Sequence, residues 1–108
     1  MDIIVVNDHS TDRTAACVQS AMREDGRISL LDCPELPPDW TGKAWALTQG
    51  AGKCRGDWLI FCDADVIMEG DAIAQAAGLI EQERLDCLSL LPRMENRHLP
   101  VASLLACY

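Results

Sequence analysis

Short apolar runs that alternate with helix-spaced segments constrain the fold of this chain more than any other feature. The four runs cover residues 3–6, 28–31, 58–62 and 87–91. Runs of this length without polar alternation predict strands that are buried on both faces. Between the runs, apolar residues recur at helical spacing in three sets: Ala15, Val18 and Met22; Ala44, Leu47 and Ala51; Ile73, Ala76, Ala77 and Ile80. The resulting order, β-α-β-loop-α-β-α-β, predicts an α/β fold with a mainly parallel sheet.

Local signals mark the ends of the predicted helices. Ser10 or Thr11 is expected to cap the first helix, and Gly26 is expected to end it. The loop from Cys33 to Gly42 contains three prolines and is too rich in proline to form a helix.

Composition narrows the possible functions. The chain has 108 residues, 49% of them hydrophobic, and its formal net charge is -8. Nucleic-acid binding and adsorption to anionic membranes both need clustered Lys and Arg, so this charge argues against both. No apolar run reaches the roughly 18–20 residues that a membrane span requires.

The six cysteines point to a reducing compartment. No pair has C-x-x-C spacing, and no signal peptide precedes the first apolar run. Cys17, Cys62 and Cys87 lie within apolar segments, where a free thiol is expected to be buried as a small hydrophobe. We therefore expect free thiols and a cytoplasmic location.

Acidic residues follow two of the predicted strands directly. Asp8 comes after the first run, and Asp63 and Asp65 come after the third. Ligands of parallel sheets bind at the carboxyl ends of the strands, so these residues should face one crevice. In an extended segment, Asp63 and Asp65 would project to the same side. Two such carboxylates suit Mg²⁺ or Mn²⁺, which would bridge this acidic protein to a diphosphate.

The acidic tripeptide has simpler explanations when it is taken alone. A solvated turn after a strand would look the same. A calcium loop of EF-hand type does not fit, because Met68 and Ala74 stand where that loop needs Gly and Glu.

Four segments taken together resemble sequences of glycosyltransferase family 2. Residues 3–14 resemble its signature V-[DN]-D-x-S-x-D-x-T, and residues 58–65 resemble its strand that ends in D-x-D. Residues 37–46 resemble P-P-x-W-x-G-K-x-W-A, and residues 86–93 resemble D-L-L-S-L-x-x-R. Both of these segments are typical of hopene-associated glycosyltransferases and relatives of ceramide glucosyltransferase. The resemblance implies the GT-A fold, which is Rossmann-like.

The resemblance also implies roles for individual residues. Asp8 would contact the nucleotide base, usually uracil, and Lys43 would face the nucleotide or its phosphates. Asp63 would lie near the ribose or the metal, and Asp65 would coordinate the metal. Trp40 and Trp45 would wall the sugar-nucleotide pocket. The implied partners are a nucleotide-sugar, chiefly a UDP-sugar, and a lipid acceptor at the cytoplasmic face of the membrane.

Two parts of the family pattern have no counterpart in these residues. Members begin with an additional strand, and their acceptor-binding half follows the D-x-D strand. Residues 1–108 are therefore expected to form a partial, donor-binding domain. The acidic residues after the D-x-D match no base motif, so the catalytic base is unassigned; they include Glu81, Glu83 and Glu95.

Other functions remain open at this stage. A haloacid-dehalogenase-type phosphatase would need Thr two residues after the second Asp, where this chain has Ile67. A dinucleotide-binding oxidoreductase would need G-x-G-x-x-G after the first strand, and residues 7–12 contain no Gly. A non-catalytic remnant or interaction module of the same fold is the third alternative.

Overall fold

A computed structural model describes residues 1–93 of the chain. Its elements are, in chain order, β1 (Ile3–Asn7), α1 (Thr14–Glu24), β2 (Ile28–Asp32), α2 (Gly42–Ala51) and α3 (Ala72–Glu83). The chain divides into two compact units, of which the first is Met1–Phe61 and the second begins at Cys62. The first unit holds both strands with α1 and α2, and the second holds α3.

The first unit is built on a parallel pair of strands. β1 and β2 pair in register from Ile3 opposite Ile28 to Asn7 opposite Asp32. The first two predicted strands are thus confirmed, and each extends one residue further to a polar side chain. The apolar residues of β1 are half-buried rather than fully buried, whereas Asn7 at its end is buried.

α1 begins later than the sequence predicted. The backbone N–H of Thr14 donates to Asp12 Oδ1 at 2.9 Å, so neither Ser10 nor Thr11 caps the helix. That prediction was wrong because the turn after β1 takes up these residues before the helix begins. The helix ends near Gly26 as predicted, with its last residue at Glu24.

α2 packs against β1 through small residues. A Cβ placed on Gly50 would lie 2.9 Å from Val6 Cγ2, so the helix backbone approaches the strand very closely there. Gly50 is the buried residue of α2, and Trp45, Ala46 and Gln49 are half-buried, while Ala44 and Leu47 are exposed. The predicted face was therefore wrong at Ala44 and Leu47 but not at Ala51, which is half-buried, because close backbone approach selected the side of α2 on which Gly50 lies.

The third apolar run does not form a strand. Residues 58–62 have no regular secondary structure, and the four side chains from Trp58 to Phe61 are 44% to 59% exposed. A strand needs a neighbour to accept and donate its ladder hydrogen bonds. Within the described residues the sheet contains only β1 and β2, so this run has no partner strand.

The second unit is organised around α3. The predicted apolar face of this helix is confirmed at Ile73, Ala76 and Ile80, which are half-buried, whereas Ala77 is exposed. Residues 87–91 were predicted to be a strand and are irregular. Together with α3 they border an open groove of about 400 Å³ lined by Ala72, Gln75, Ala76, Leu79, Leu88 and Leu90.

The described cysteines are free thiols, as predicted. Their predicted burial was wrong for Cys17, Cys62 and Cys87, which are exposed, whereas Cys33 is buried. Among residues 1–93, no helix is long and apolar enough to cross a membrane.

Candidate functional site

The carboxyl end of β1 lies against the beginning of α2. Asp8 follows β1 directly, and its Oδ2 is 3.1 Å from the place that a Cβ on Gly42 would occupy. Gly42 is the first residue of α2. The free N–H groups and the dipole at a helix N-terminus favour negative charge, and the Asp8 carboxylate lies at this end of α2. A glycine here leaves room for that carboxylate.

Asp8 is accessible to solvent while its orientation is restricted. Its Oδ1 lies 3.1 Å from Nδ1 of His9, and the two side chains are 48% and 58% exposed, respectively. His9 adopts a positive φ of 56°, which is uncommon for a residue other than glycine. Asp8 thus presents an exposed carboxylate that can accept a hydrogen bond from an N–H group of a ligand.

Asn7 links the ends of the two strands. Asn7 and Cys33 are buried, whereas Asp32 is exposed. The side-chain amide of Asn7 donates to Asp32 Oδ1 at 2.8 Å, and the backbone N–H of Cys33 donates to the Asn7 carbonyl at 2.9 Å. Burial raises the pKa of the Cys33 thiol, and the negative charge of Asp8 raises that pKa further. The thiol is therefore kept protonated beside Asp8.

Sequence reasoning did not single out Asn7 and Asp32. Each is the polar residue that directly follows an apolar run, and they face each other in the parallel register. Aligning the two predicted strands by their carboxyl ends would have placed them together.

Lys43 and the two predicted tryptophans surround the start of α2. Lys43 is exposed in the first turn, directly after Gly42. The indole Nε1–H of Trp45 donates to the Pro34 carbonyl at 3.2 Å, which ties α2 to the preceding loop. Trp40 meets Trp45 edge to face, with ring centroids 5.2 Å apart and an interplanar angle of 65°. Trp40 is 43% exposed, so part of its ring is available for stacking against a ligand.

Asp63 and Asp65 lie in the second unit, in a turn rather than a strand. The backbone N–H of Val66 donates to the Asp63 carbonyl at 3.2 Å, and Ala64 and Asp65 form the turn. The prediction that the two carboxylates share one side of an extended segment was therefore wrong, because a turn does not alternate its side chains. Whether they meet Asp8 at one crevice stays a prediction.

The donor chemistry of this pair suits a hard divalent cation. Mg²⁺ binds through one or two carboxylates and completes its shell with phosphate oxygens and water. Among residues 1–93, no group of three or more Asp, Glu, His or Cys side chains lies close enough together to hold a metal ion. Asp63 and Asp65 could supply at most two carboxylate ligands to such an ion.

The candidate bases remain unassigned. Glu81 and Glu83 are exposed on α3, and Glu95 lies outside the described residues.

Comparison with known proteins adds independent evidence. The family model for glycosyl transferase family 2 matches residues 1–99. The chain is 30% identical over 97 residues to a poly-beta-1,6-N-acetyl-D-glucosamine synthase of Staphylococcus aureus, covering 89% of this chain and 22% of that protein. It is 26% identical over 85 residues to an uncharacterized glycosyltransferase of Haemophilus influenzae, covering 79% of this chain and 32% of that protein.

The chain therefore spans about a fifth of the length of the S. aureus relative and about a third of the length of the H. influenzae relative, 22% and 32% respectively. No solved structure matched it significantly.

Proposed function

This chain belongs to glycosyltransferase family 2, and on that premise we propose that it is the donor-binding part of an enzyme that transfers a sugar from a nucleoside diphosphate. Membership of the family implies the GT-A fold, and the α/β arrangement with a parallel strand pair agrees with it. The observation that carries the proposal is the exposed Asp8 carboxylate, held at the carboxyl end of β1 against the N-terminus of α2.

Asp8 is proposed to recognise the base of the donor. The N3–H of uracil is a hydrogen-bond donor, and an exposed carboxylate is its natural acceptor. Cytosine carries no hydrogen at N3 and would not make this bond. The proposal therefore includes a preference for UDP-sugars.

The start of α2 is proposed to hold the rest of the nucleotide-sugar. Lys43 projects from the first turn, where its ammonium group adds positive charge to the helix N-terminus and suits phosphate oxygens. Trp40 offers a half-exposed ring for the sugar or base, and Trp45 supports that ring from behind. In this arrangement Trp45 acts through Trp40, because its own indole N–H is already bonded to Pro34.

Asp65 and Asp63 are proposed to hold Mg²⁺ or Mn²⁺ together with the donor diphosphate. When bound, the ion neutralises the negative charge that develops on the departing diphosphate. During transfer, an acceptor oxygen forms a bond to the anomeric carbon while the bond from that carbon to the diphosphate oxygen breaks. The hydroxyl proton passes to a general base, for which we assign no residue.

The acceptor is proposed to be a lipid at the cytoplasmic face of the membrane. Support comes from residues 37–46 and 86–93, which resemble hopene-associated and ceramide-glucosyltransferase-like sequences. The S. aureus relative is named for a polysaccharide product, so a growing glycan is the acceptor to test against a lipid. In this proposal residues 1–108 bind the donor, and other parts of the enzyme bind the acceptor.

Calorimetric titration of the 108-residue chain with UDP tests the proposal. We expect saturable binding that requires Mn²⁺ and is weaker for CDP. A folded chain that binds no UDP in the presence of Mn²⁺ would overturn the proposal and leave a non-catalytic module as the better description. Tight binding of phosphomonoesters instead of UDP would favour phosphoryl transfer.

Two pairs of variants separate the site from the rest of the chain. Trp40→Leu should weaken UDP-sugar binding about tenfold, since stacking on an aromatic ring contributes about 1–3 kcal/mol. The matched control is Trp58→Leu, which removes a ring that is 54% exposed from the irregular segment. Asp65→Ala should weaken UDP binding and make the remaining binding independent of Mn²⁺. The matched control is Glu69→Ala, which removes an exposed carboxylate four positions further along the chain and should change neither property.

A further inference from the structure

One buried side chain joins the ends of β1 and β2. Asn7 is 9% exposed and faces Asp32 in the parallel register. Its Nδ2 donates to Asp32 Oδ1 at 2.8 Å, and its Oδ1 accepts the backbone N–H of Ser10 at 3.2 Å. A carboxylate can only accept and an N–H can only donate, so one orientation of the amide satisfies both partners. Asp32 thereby fixes which way the Asn7 amide points.

These bonds fix the segment that carries Asp8. Asp8 and His9 are the two residues between Asn7 and Ser10, and the Asn7 side chain closes that turn. Within the turn, His9 holds a φ of 56°, a conformation that non-glycine residues keep only when their surroundings impose it. The Cys33 N–H bond to the Asn7 carbonyl ties the same residue to β2. The Asp8 carboxylate therefore projects from a turn whose two ends are both held.

We propose that Asn7 and Asp32 are positioning residues that aim Asp8 at the nucleotide base without touching the nucleotide themselves. This inference rests on the proposed function and deepens it. It assigns part of the uracil selectivity to Asn7 and Asp32, which hold Asp8, and not to Asp8 alone. If Asp32 is lost, the Asn7 amide is free to rotate, the turn loosens and Asp8 samples orientations that miss N3–H. The metal and phosphate contacts do not depend on this turn.

The test compares three ligands on the full chain in the presence of Mn²⁺: UDP, CDP and inorganic pyrophosphate. In Asp32→Ala, the affinity for UDP should fall about tenfold, the scale of one hydrogen bond to a charged group. The preference for UDP over CDP should shrink by the same factor, while pyrophosphate affinity stays unchanged. Asp32→Asn keeps an oxygen that can accept from Asn7 and should restore the affinity for UDP.

Controls separate positioning from general damage. Glu24→Ala removes an exposed carboxylate from the end of α1 and should leave all three affinities unchanged. Hydrogen exchange at the Ser10 amide should become faster in Asp32→Ala, which reports on the turn directly. If Asp32→Ala does not fold, Asn7→Ala serves in its place, because it removes the side chain that bonds both Asp32 and the Ser10 N–H and should produce the same selective loss.

The possible results distinguish this inference from the function on which it rests. A wild-type chain that fails to bind UDP overturns both. A wild-type chain that binds UDP, with Asp32→Ala losing UDP and pyrophosphate affinity in parallel or losing neither, overturns the positioning role alone.

Discussion

Among single residues, Gly50 shows how closely α2 is packed on the strand pair. A Cβ at this position would lie 2.9 Å from Val6 Cγ2, which is a methyl group on a stiff, β-branched side chain. Gly78 on α3 is the opposite case, because nothing lies within 4 Å of a Cβ built there. Glycine is therefore required by close packing at Gly50 in α2. At Gly78 in α3 it only lowers the helix propensity.

Gly50→Ala is expected to destabilise the first unit by about 1 kcal/mol. Overpacking costs about 1–3 kcal/mol, and the higher helix propensity of Ala returns about 1 kcal/mol of that. Gly78→Ala should gain the propensity term alone and stabilise α3 by about 1 kcal/mol. Urea denaturation followed by circular dichroism measures both changes. A stabilised Gly50→Ala variant would show that α2 and β1 are not in close contact.

Among the elements, the connection from α1 to β2 contains a close ion pair between Asp25 and Arg27. Arg27 Nη2 lies 2.7 Å from Asp25 Oδ2, and the backbone N–H of Arg27 also donates to Asp25. The side-chain hydrogen bond from Arg27 is the main reason that the pKa of Asp25 falls from its ordinary 3.8 to about 2. The pair holds the chain where it leaves the helix and enters the strand.

Acid should weaken the fold through Asp25. Because its pKa is lower in the folded chain, the unfolded chain binds the proton first as the pH falls. The stabilisation is complete above about pH 4 and is lost as the pH falls toward about 2. Asp25→Asn keeps the acceptor for the Arg27 backbone but removes the titration, so its urea midpoint should fall less steeply across this range. Parallel profiles for the wild type and the variant would contradict the assignment.

The elements also show which features can be predicted from residue pattern. β1, β2 and the half-buried face of α3 follow from apolar spacing, because that spacing fixes which side chains can share one face. Residues 58–62 were predicted to form a strand and do not. Apolar spacing does not show whether a neighbouring strand exists to complete the hydrogen-bond ladder, and within the described residues this run has none. The face of α2 was set by backbone approach at Gly50, which hydrophobicity does not encode.

The same limit applies to the candidate site. Asp8 and Lys43 could be named from motifs, and the structure places Asp8 beside the helix that carries Lys43. The bond between Asn7 and Asp32 is not visible in any motif, because it depends on a strand register that joins residues 25 positions apart, and only an alignment of the two apolar runs brings the pair together. Motif spacing identifies groups that are able to contact a ligand. It does not identify the groups that hold them in place.

For the whole molecule, two properties oppose each other: net charge and exposed apolar surface. The formal net charge is -8, which makes separate copies repel. Against this, four consecutive large side chains from Trp58 to Phe61 are 44% to 59% exposed. A contiguous exposed patch of this kind favours association.

Salt should therefore shift the chain from monomers toward assemblies. The screening length falls from about 10 Å at 0.1 M salt to about 3 Å at 1 M, which removes the repulsion but leaves the apolar attraction. Light scattering at rising salt should show growing assemblies for the wild type and a much smaller rise for Leu59→Lys. Leu36→Lys makes the same change in charge at a residue that is 50% exposed in the proline-rich loop, outside the run. The two variants differ only in the position of the new charge. Equal suppression of assembly by both would mean that charge alone controls association. Suppression by Leu59→Lys alone would locate the contact at the exposed run.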